Sequence, residues 1–486
     1  MQDFGVRKEN NWIFGGVSIG GNFEGFFQTS GLSSLERVLV SQLTTAQRLS
    51  LTNAPNTIDF RSEPKTHPLH HLYRDGRKRH QLLQWFKRAF GTEIAIDMLA
   101  GRVVPLHVGD GAEPRGSEHV TDDSYLERLR LLPRLDEQGD GMKSFVGMLL
   151  NILYGHHDII FLDEPEAFLH PPQARLLGTF LGRERPANVQ IFVATHSADF
   201  IRGALESSDP HLRIARICRQ NDIGQITELA TGEIERSWSD PVLRFSNVID
   251  GLFHEKVVVC EADGDCRFYA AITEALRNPE NHPYLRDVMF VQAGGKGGIP
   301  KLVAALKALA VPVSAVVDFD VFRQIEQLDA IIAALGGKSA EYDDDIRAVR
   351  ENINKLGSRP NAREIKEEIG KLLSELDDGA SELPRQLEKK LRDAIKAPPG
   401  WARAKTTGLG ILDRDTKPRG QTLLERFKRI GLFVVPVGEI ESFESNQTAT
   451  KNDWVAAVLE AHRQDMATAS SLSEARAFVG GFIAKE

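Results

Sequence analysis

Two clusters of carboxylates stand out in the 486-residue sequence, each directly after an apolar, strand-like run. The stretch FLDEPEAFLHPPQ (161–173) holds three carboxylates within four positions. The stretch VVVCEADGDCRFY (257–269) holds Glu261 and Asp265, and AVVDFD about fifty residues later ends in Asp318 and Asp320. Clustered carboxylates repel one another unless a cation lies among them, and their oxygens suit Mg²⁺ or Mn²⁺. The sequence therefore predicts two pieces of metal-dependent chemistry in one chain.

The first cluster has the Walker B arrangement of nucleotide hydrolases, in which an apolar strand ends in Asp-Glu. Such a strand carries Asp163 to the carboxyl end of a sheet, where it can hold Mg²⁺, while Glu164 reaches a water facing the γ-phosphate of ATP. About thirty residues later, VATHS places His196 at the end of a neighbouring strand, where its imidazole can contact the γ-phosphate. The alternative interpretation is a solvated acidic turn.

A second element of a nucleotide site is expected upstream. The stretch EQGDGMKSF places Gly139, Gly141 and Ser144 before a predicted helix. Exposed backbone N–H groups and the helix dipole favour an anion at such a position. A plain helix cap is the alternative.

The phosphate-binding loop of such an ATPase does not appear in the sequence. The motif G-x-x-x-x-G-K-[ST] cradles phosphate with its backbone and neutralises it with Lys, and it occurs nowhere in the chain. GGVSIGGNFEG has the glycines without the Lys-Ser or Lys-Thr, so we expect a flexible or turn-rich segment there. Three explanations stay open: the loop lies upstream of this sequence, another polypeptide supplies it, or the ATPase is degenerate.

The second cluster follows the pattern E-x-x-x-D and then D-x-D, each after an apolar β-branched run. Each acid alone would more often be a loop or cap residue. Together they could hold two metals about 4 Å apart, which would stabilise the attacking and leaving oxygens of phosphoryl transfer. Further on, VVPVGEIESF offers Glu439 and Glu441, and Lys451 follows. If the strand continues through GEIE, its period of two puts both glutamates on one face, so either could reach the metal.

The elements that must position these residues alternate between short apolar strands and amphipathic helices, which predicts parallel sheets with crossover helices. We expect an α/β fold with a domain boundary near Phe253. The predicted organisation is a nucleotide-hydrolase domain over 1–252 with an atypical N-terminal part, a second α/β domain beginning at 253–323, a helical insertion over 324–399, and the remainder of the second domain with C-terminal helices over 400–486.

Composition narrows the function classes. A net charge of -8 and a pI near 6.0 argue against a uniformly basic protein, so nucleic-acid contact requires a local patch. Two basic segments qualify, RAKTTG with RDTKPRGQTLLERFKR within 403–429 and the run at 77–79, although a solvated face explains either as well. Three cysteines match no zinc spacing, and no run has the roughly 18 apolar residues of a membrane span. We expect a cytoplasmic protein.

Each half of the chain resembles a different kind of known domain. The order of EQGDGMKSF, FLDEP and THS resembles ABC-type ATPases, whose heads sandwich ATP between two copies. E-x-x-x-D followed by D-x-D resembles the Toprim fold of topoisomerases, primases and certain nucleases, with Ala262 in place of the usual glycine. The two halves together, with the late GEIE and a following lysine, resemble the OLD (overcoming lysogenization defect) family of ATP-linked nucleases over about two thirds of the chain.

The resemblance implies a set of site residues. The implied metal ligands are Glu261, Asp265, Asp318, Asp320 and Glu441. The implied catalytic residues are Glu261, Asp318, Asp320, Glu164 and Lys451, of which Lys451 would stabilise charge on the scissile phosphate, although a solvated lysine is an equal alternative. The implied nucleotide-binding residues are Asp163, Glu164, His196, Gly141 and Ser144.

The resemblance also implies a function. We expect a DNA endonuclease dependent on Mg²⁺ or Mn²⁺, gated or assembled by an ATP-binding homodimer or higher homo-oligomer, in antiviral defence with a partner protein. A nucleotide-dependent DNA-binding or sensor subunit, whose Toprim domain is not catalytic, is the alternative. A topoisomerase or primase is a third interpretation; a topoisomerase needs a nucleophilic tyrosine in a DNA-gate domain, and no such domain is recognisable among the six tyrosines.

Overall fold

The protein is described here from a computed structural model of the full chain. The described residues are 5–8, 11–14, 17–20, 39–59, 62–63, 65–72, 75–155, 157–220, 223–229, 247–277, 287–356, 366, 369–370, 372–373, 387, 391, 399–447, 449 and 451–483. The chain divides into two compact units, Met1–Leu212 and Arg213–Glu486.

The first unit is built on parallel strands β4, β7 and β8, with β7 in the centre of the order β4-β7-β8. Strands β1 to β3 and strands β5 and β6 form separate antiparallel sheets. The strands are β1 Gly5–Lys8, β2 Asn11–Phe14, β3 Val17–Gly20, β4 Val40–Leu43, β5 Ile94–Ile96, β6 Leu106–Val108, β7 Ile159–Asp163 and β8 Gln190–Ala194. The helices are α1 Thr45–Ser50, α2 Pro68–Leu72, α3 Gly76–Phe90, α4 Asp123–Leu131, α5 Asp140–Tyr154, α6 Pro171–Glu184 and α7 Ala198–Glu206.

Helix α5 forms the centre of the first unit's core. Its side chains are buried continuously from Ser144 to Tyr154, as expected for a helix enclosed on most sides. Helix α3 is basic and amphipathic, with the Asp75 side chain capping its start and Gly91 ending it in the left-handed conformation. Trp85 of α3 packs edge-on against Phe180 of α6.

The second unit contains four parallel strands in the order β12-β11-β13-β14 and a separate antiparallel hairpin of β9 and β10. The strands are β9 Ala215–Gln220, β10 Ile223–Glu228, β11 Lys256–Cys260, β12 Val288–Gln292, β13 Val313–Val317 and β14 Leu432–Val434. The helices are α8 Asp263–Leu276, α9 Ile299–Ala308, α10 Ile325–Ala334, α11 Asp343–Leu356, α12 Pro399–Thr407, α13 Thr416–Lys428, α14 Lys451–Ala461 and α15 Ser473–Ile483. Strand β11 is buried at every position, which matches its unbroken apolar run.

The division between the units lies about forty residues before the boundary that the sequence predicts. Arg216 on β9 explains the difference, because its guanidinium donates to the carbonyls of Leu252 (3.0 Å), Ala310 (2.9 Å) and His254 (2.7 Å). These bonds tie the hairpin to the segments that precede β11 and β13. Helices α10 and α11 form the start of the predicted insertion, and most of its later part lies outside the described residues.

Two local expectations differ from the structure. Strand β14 ends at Val434, and a turn through Pro436 and Gly438 (φ 117°) leads to a 3₁₀ turn at Ile440–Phe443, so the strand does not continue through GEIE. The prediction that Glu439 and Glu441 share one strand face is therefore wrong. In the glycine-rich N-terminal segment, residues 17–20 form β3, whereas residues 21–25 lie outside the described part of the chain. In the described part of the chain, every helix is too short or too polar to cross a membrane.

Candidate functional site

The ATPase-type motif lies where two parallel strands end side by side. Asp163, the last residue of β7, pairs in register with Ala194, the last residue of β8. The backbone N–H of Glu164 then donates to the Ala194 carbonyl at 2.9 Å, and a left-handed φ of 43° turns the chain sharply at Glu164. Because both strands run in the same direction, the segment carrying His196 leaves the sheet beside Asp163 and Glu164, as the sequence predicts.

A third carboxylate organises this edge of the sheet. Glu166 is buried, and its Oε1 accepts hydrogen bonds from the Thr195 hydroxyl (2.7 Å) and the His196 backbone N–H (3.1 Å). The His196 Nδ1 lies 3.4 Å from Glu164 Oε1 and 3.5 Å from Glu166 Oε1. Glu166 therefore fixes the histidine segment while the His196 ring stays largely exposed. The sequence contained this signal as the third acid of DEPE, but we assigned it no role.

A buried arginine stabilises the same turn through its backbone carbonyls. Arg48 on α1 is fully buried, and its guanidinium donates to the carbonyls of Asp163 and Glu164, each at 3.1 Å. Burial lowers the pKa of Arg48, and the carboxylates of Asp163, Glu166 and Glu164 act in the opposite direction. Nothing in the sequence around Arg48 points to this role, because the contact joins residues more than a hundred positions apart.

The predicted anion-binding glycines occupy a different position from the one expected. Gly139 caps α5, but Gly141 and Ser144 lie inside the helix rather than before it. The Ser144 hydroxyl is buried and has no hydrogen-bond partner among the described residues. A Cβ on Gly141 would lie 2.7 Å from the carbonyl oxygen of Phe168, so this glycine permits a close approach between α5 and the loop after the Walker B strand. Nucleotide binding by Gly141 and Ser144 stays a prediction.

The second acidic cluster assembles at the carboxyl ends of β11 and β13. Oε1 of Glu261 accepts a hydrogen bond from the backbone N–H of Asp318 at 2.8 Å. Asp320 follows two residues later in the 3₁₀ turn Phe319–Arg323. Asp265 lies in the first turn of α8, where its Oδ2 accepts a bond from the Ala262 N–H at 2.9 Å. The structure thus brings together the four acids that the spacing predicts.

The charges of these acids act strongly on Asp318. Burial, followed by the negative charges of Glu261 and Asp265, raises the pKa of Asp318 to about 8. Carboxyls forced together out of water hold a proton more tightly than a free carboxyl does, because ionisation adds charge to charge. Burial and the neighbouring negative charges therefore both favour the protonated form of Asp318.

A lysine that the sequence analysis did not select lies among these carboxylates. The Nζ of Lys296 is 2.9 Å from Glu261 Oε2 and 2.6 Å from Asp320 Oδ1. Its side chain is 10% exposed, so the ammonium is enclosed with the two acids. The available signal was AGGKGG directly after strand β12, a glycine-rich loop with one charged residue.

The late glutamates lie near a second lysine. The backbone N–H of Phe319 donates to the Gly438 carbonyl at 2.8 Å, which brings the turn before Glu439 beside the end of β13. The Glu439 Oε2 lies 3.2 Å from the Nζ of Lys405 on α12. Glu441 lies in the following 3₁₀ turn. Lys451 begins α14, and its side chain lies outside the described residues.

The predicted basic segment divides between two environments. Lys405 contacts Glu439 at the acidic cluster, which agrees with a position beside the site. Arg419 and Arg426 on α13 each pair with Asp345 of α11 at 3.0 Å, so these two charges help to attach the insertion. In the other basic run, Lys78 donates to the Leu153 carbonyl at 2.6 Å. Less positive charge is therefore available to a phosphate backbone than the sequence suggests.

The donor set has the chemistry of a divalent-metal site, since carboxylate oxygens are the ligands that Mg²⁺ and Mn²⁺ prefer. Among the described residues, however, no group of three or more acidic, histidine or cysteine side chains already has the geometry to hold a metal ion. The cation present between Glu261 and Asp320 is the Lys296 ammonium. Metal binding by these carboxylates stays a prediction.

Comparison with known proteins finds a matching family model within each half of the chain. Residues 107–202 match the family model described as "AAA domain, putative AbiEii toxin, Type IV TA system". Residues 252–320 match the model described as "Overcoming lysogenization defect protein-like, TOPRIM domain". The Old nuclease of Escherichia phage P2 is 24% identical over 205 residues, covering 40% of this chain and 33% of that protein. The chain thus contains an ATPase domain and an OLD-like Toprim domain, the combination found in the OLD family that its motifs resemble.

Two solved structures are also similar to part of this chain. One comes from work on ATP-driven dimerization and DNA-stimulated activation of SMC ATPases, with 9% identity, a TM-score of 0.23, and coverage of 35% of this chain and 95% of that one. The other is an SmcHead bound to the C-winged helix domain of ScpA, with 10% identity, a TM-score of 0.30, and coverage of 46% and 66%. No property of this chain follows from likeness at this level.

The family matches cover the centres of both candidate sites. The AAA match includes Asp163, Glu164 and His196, and the Toprim match extends from before Glu261 to Asp320. The mixed α/β class and the ATPase and Toprim domains that the sequence predicts are confirmed. Domains of these two kinds generally use a nucleotide and a divalent metal. The segment with the late glutamates and Lys451 lies beyond the matched ranges.

Proposed function

We propose that this chain is a metal-dependent DNA endonuclease whose Toprim site cuts phosphodiesters and whose ATPase domain gates or assembles that site. The observation that supports this proposal best is the convergence of Glu261, Asp265, Asp318 and Asp320 at neighbouring strand ends, with the pKa of Asp318 raised to about 8. A partly buried acidic cluster of this kind is costly without a cation and suited to binding one.

Each residue of the cluster has a part in the proposed reaction. Glu261, Asp318 and Asp320 would hold the metal from two strand ends, with Asp265 and Glu441 completing the oxygen ligands. A divalent cation held there supplies activation of a water and stabilises charge on the leaving oxygen of the phosphodiester. Asp318 must give up its proton to act as a ligand. Lys451 would stabilise negative charge on the scissile phosphate.

The ATPase edge would respond to nucleotide. Asp163 would hold the Mg²⁺ of ATP, Glu164 would orient the attacking water, and His196, fixed through Glu166, would contact the γ-phosphate. The phosphate-binding loop would have to come from upstream, from another polypeptide, or be absent in a degenerate site. We propose that the ATPase domains pair as a homodimer or larger homo-oligomer, and that the protein acts in antiviral defence with a partner protein.

The direct test is cleavage of supercoiled plasmid in Mg²⁺ and in Mn²⁺, with and without ATP. The wild type should nick or linearise the plasmid, and Asp318→Ala/Asp320→Ala should not. A matched control, Asp343→Ala/Asp344→Ala, removes the same charge from the exposed first turn of α11 and should cut like the wild type. Cutting by the acidic-cluster variant at the wild-type rate would rule out the proposed active site.

A second function is a nucleotide-dependent DNA-binding or sensor subunit that acts through a partner. The observation in its favour is that no metal-binding geometry is preformed among the described residues. This function predicts that Glu261→Ala leaves protection against phage intact, whereas Glu164→Gln abolishes it. The endonuclease proposal predicts that both variants lose protection. Phage plating on cells that carry each variant, with protein levels measured by immunoblot, separates the two.

A further inference from the structure

Residues 293–298 form a glycine loop that carries Lys296 from the end of β12 to the acidic cluster. Gly294 and Gly295 have φ values of 69° and 112°, a region that glycine adopts without strain. The N–H of Gly295 donates to the Glu261 carbonyl at 2.8 Å. A Cβ on Gly298 would lie 2.1 Å from the Ala293 carbonyl oxygen. The backbone is therefore fixed against the residue that follows β11, and the position of the lysine is specified by the loop.

The Lys296 ammonium is enclosed by two carboxylates. Its Nζ lies 2.9 Å from Glu261 Oε2 and 2.6 Å from Asp320 Oδ1. The Glu261 side chain is 13% exposed and that of Asp320 25%, so the contacts are largely shielded from water. Two acids that would otherwise repel each other across the site are held together by one internal cation.

We infer that Lys296 is a built-in counter-ion, which a divalent metal must displace before Glu261 and Asp320 can bind it. The inference rests on the proposed function, in which these two acids are metal ligands. Glu261 Oε2 and Asp320 Oδ1 already contact the ammonium. A metal bonded to the same oxygens at about 2.1 Å would lie in the space that the ammonium occupies, and the two cations would repel each other. Without a bound metal, Glu261 and Asp320 stay paired with Lys296.

The affinity for Mn²⁺ tests the proposed exchange of the Lys296 ammonium for a metal ion and requires no measurement of catalysis. Mn²⁺ binding is measured by electron paramagnetic resonance for the wild type, Lys296→Met and Lys428→Met. Removal of the competing ammonium should tighten Mn²⁺ binding by about fivefold or more. Lys428 contacts Glu425 on an exposed face of α13. Lys428→Met removes the same charge outside the acidic cluster, so this variant should bind Mn²⁺ like the wild type. Equal or weaker binding by Lys296→Met would overturn the exchange.

A second readout uses the unmutated protein and so does not depend on the folding of a variant. Acetylation of individual lysine amines by a soluble acylating reagent is quantified by mass spectrometry with and without saturating Mg²⁺. The exchange predicts that labelling of Lys296 at least doubles when Mg²⁺ binds. Lys307, which donates to the Leu335 carbonyl at 2.7 Å, is the internal control and should not change. Unchanged or reduced labelling of Lys296 with Mg²⁺ bound would contradict the exchange.

The outcomes separate the two proposals. Wild-type Mn²⁺ binding that is lost in Asp318→Ala/Asp320→Ala, combined with unchanged affinity in Lys296→Met, would remove the exchange and leave the proposed metal site standing. No Mn²⁺ binding by the wild type would remove both proposals. Tighter binding in Lys296→Met together with increased labelling of Lys296 in Mg²⁺ supports the exchange.

Discussion

At the scale of single residues, Asp318 is the acid whose surroundings alter its chemistry most clearly. Its folded pKa of about 8 lies well above the value near 4 of a free Asp. The folded state therefore holds this proton more tightly than the unfolded chain. The resulting contribution to stability is fully present below the unfolded pKa and is lost as pH rises through about 8.

Metal-free protein should accordingly lose stability as pH rises from about 4 to about 8. Asp318→Asn cannot ionise and should reduce this loss. The measurement is the melting temperature as a function of pH in the presence of a chelator. Asp344→Asn, at an exposed position on α11, should retain the wild-type slope. Parallel profiles for the wild type and Asp318→Asn would show that Asp318 is not the group responsible.

Arg48 provides a second prediction at this scale. Arg48→Met keeps a long apolar stem but removes the guanidinium that donates to the Asp163 and Glu164 carbonyls. Two carbonyls would lose a charged donor, which should cost about 2–4 kcal/mol of unfolding free energy. Arg213→Met, at an exposed ion pair in the second unit, should change stability by less than about 1 kcal/mol. Urea unfolding of both variants measures the difference, and equal stability would contradict the role of Arg48.

At the scale of elements, close helix contact holds the segment that follows His196. Helices α6 and α7 approach so closely that a Cβ on Gly203 would lie 1.8 Å from the Arg175 carbonyl oxygen, and one on Gly178 would lie 2.2 Å from that of Phe200. Both glycines lie inside helices, where glycine would otherwise cost about 1 kcal/mol relative to alanine. The contact between backbones explains why the helices contain them.

Gly203→Ala should therefore destabilise the first unit, and the displacement of α7 should disturb His196. Gly480→Ala in α15 is the matched control, because a Cβ there meets nothing within 4 Å and should be neutral or stabilising by up to about 1 kcal/mol. Thermal melting of both variants provides the comparison. A Gly203→Ala protein as stable as Gly480→Ala would mean that the helices can separate without cost.

At the scale of the whole molecule, the sequence predicts the α/β class and the strands that carry the acids, because buried parallel strands appear as unbroken apolar runs followed by polar residues. Both acidic clusters follow from that rule. That rule does not predict three contacts between distant residues. These are Arg48 under the Walker B turn, Arg216 joining the hairpin to the rest of the second unit, and Lys296 among the acids. Each depends on the tertiary fold rather than on local spacing.

Two of the predictions that differ from the structure, the strand through GEIE and the placement of Ser144 before α5, fail for local physical reasons. The strand β14 ends early because Pro436 lacks an N–H and Gly438 adopts a positive φ, and together they turn the chain before Glu439. The anion-binding expectation at Ser144 assumed a later helix start, whereas the glycine at 139 already caps α5. The turn and cap residues are present in the sequence, but the spacing of apolar residues alone does not show where the strand ends and the helix begins.

The central claim is that the Toprim carboxylates hold the metal that makes this chain a nuclease. The most direct measurement is the rate of nicking of supercoiled plasmid over a Mn²⁺ titration by the wild type and by Glu261→Gln. We predict that wild-type nicking requires Mn²⁺ and stops with a chelator, and that Glu261→Gln, which keeps the size of the side chain, cuts at least about a hundredfold more slowly. Equal nicking by both proteins, or nicking that persists in the chelator, would contradict the claim.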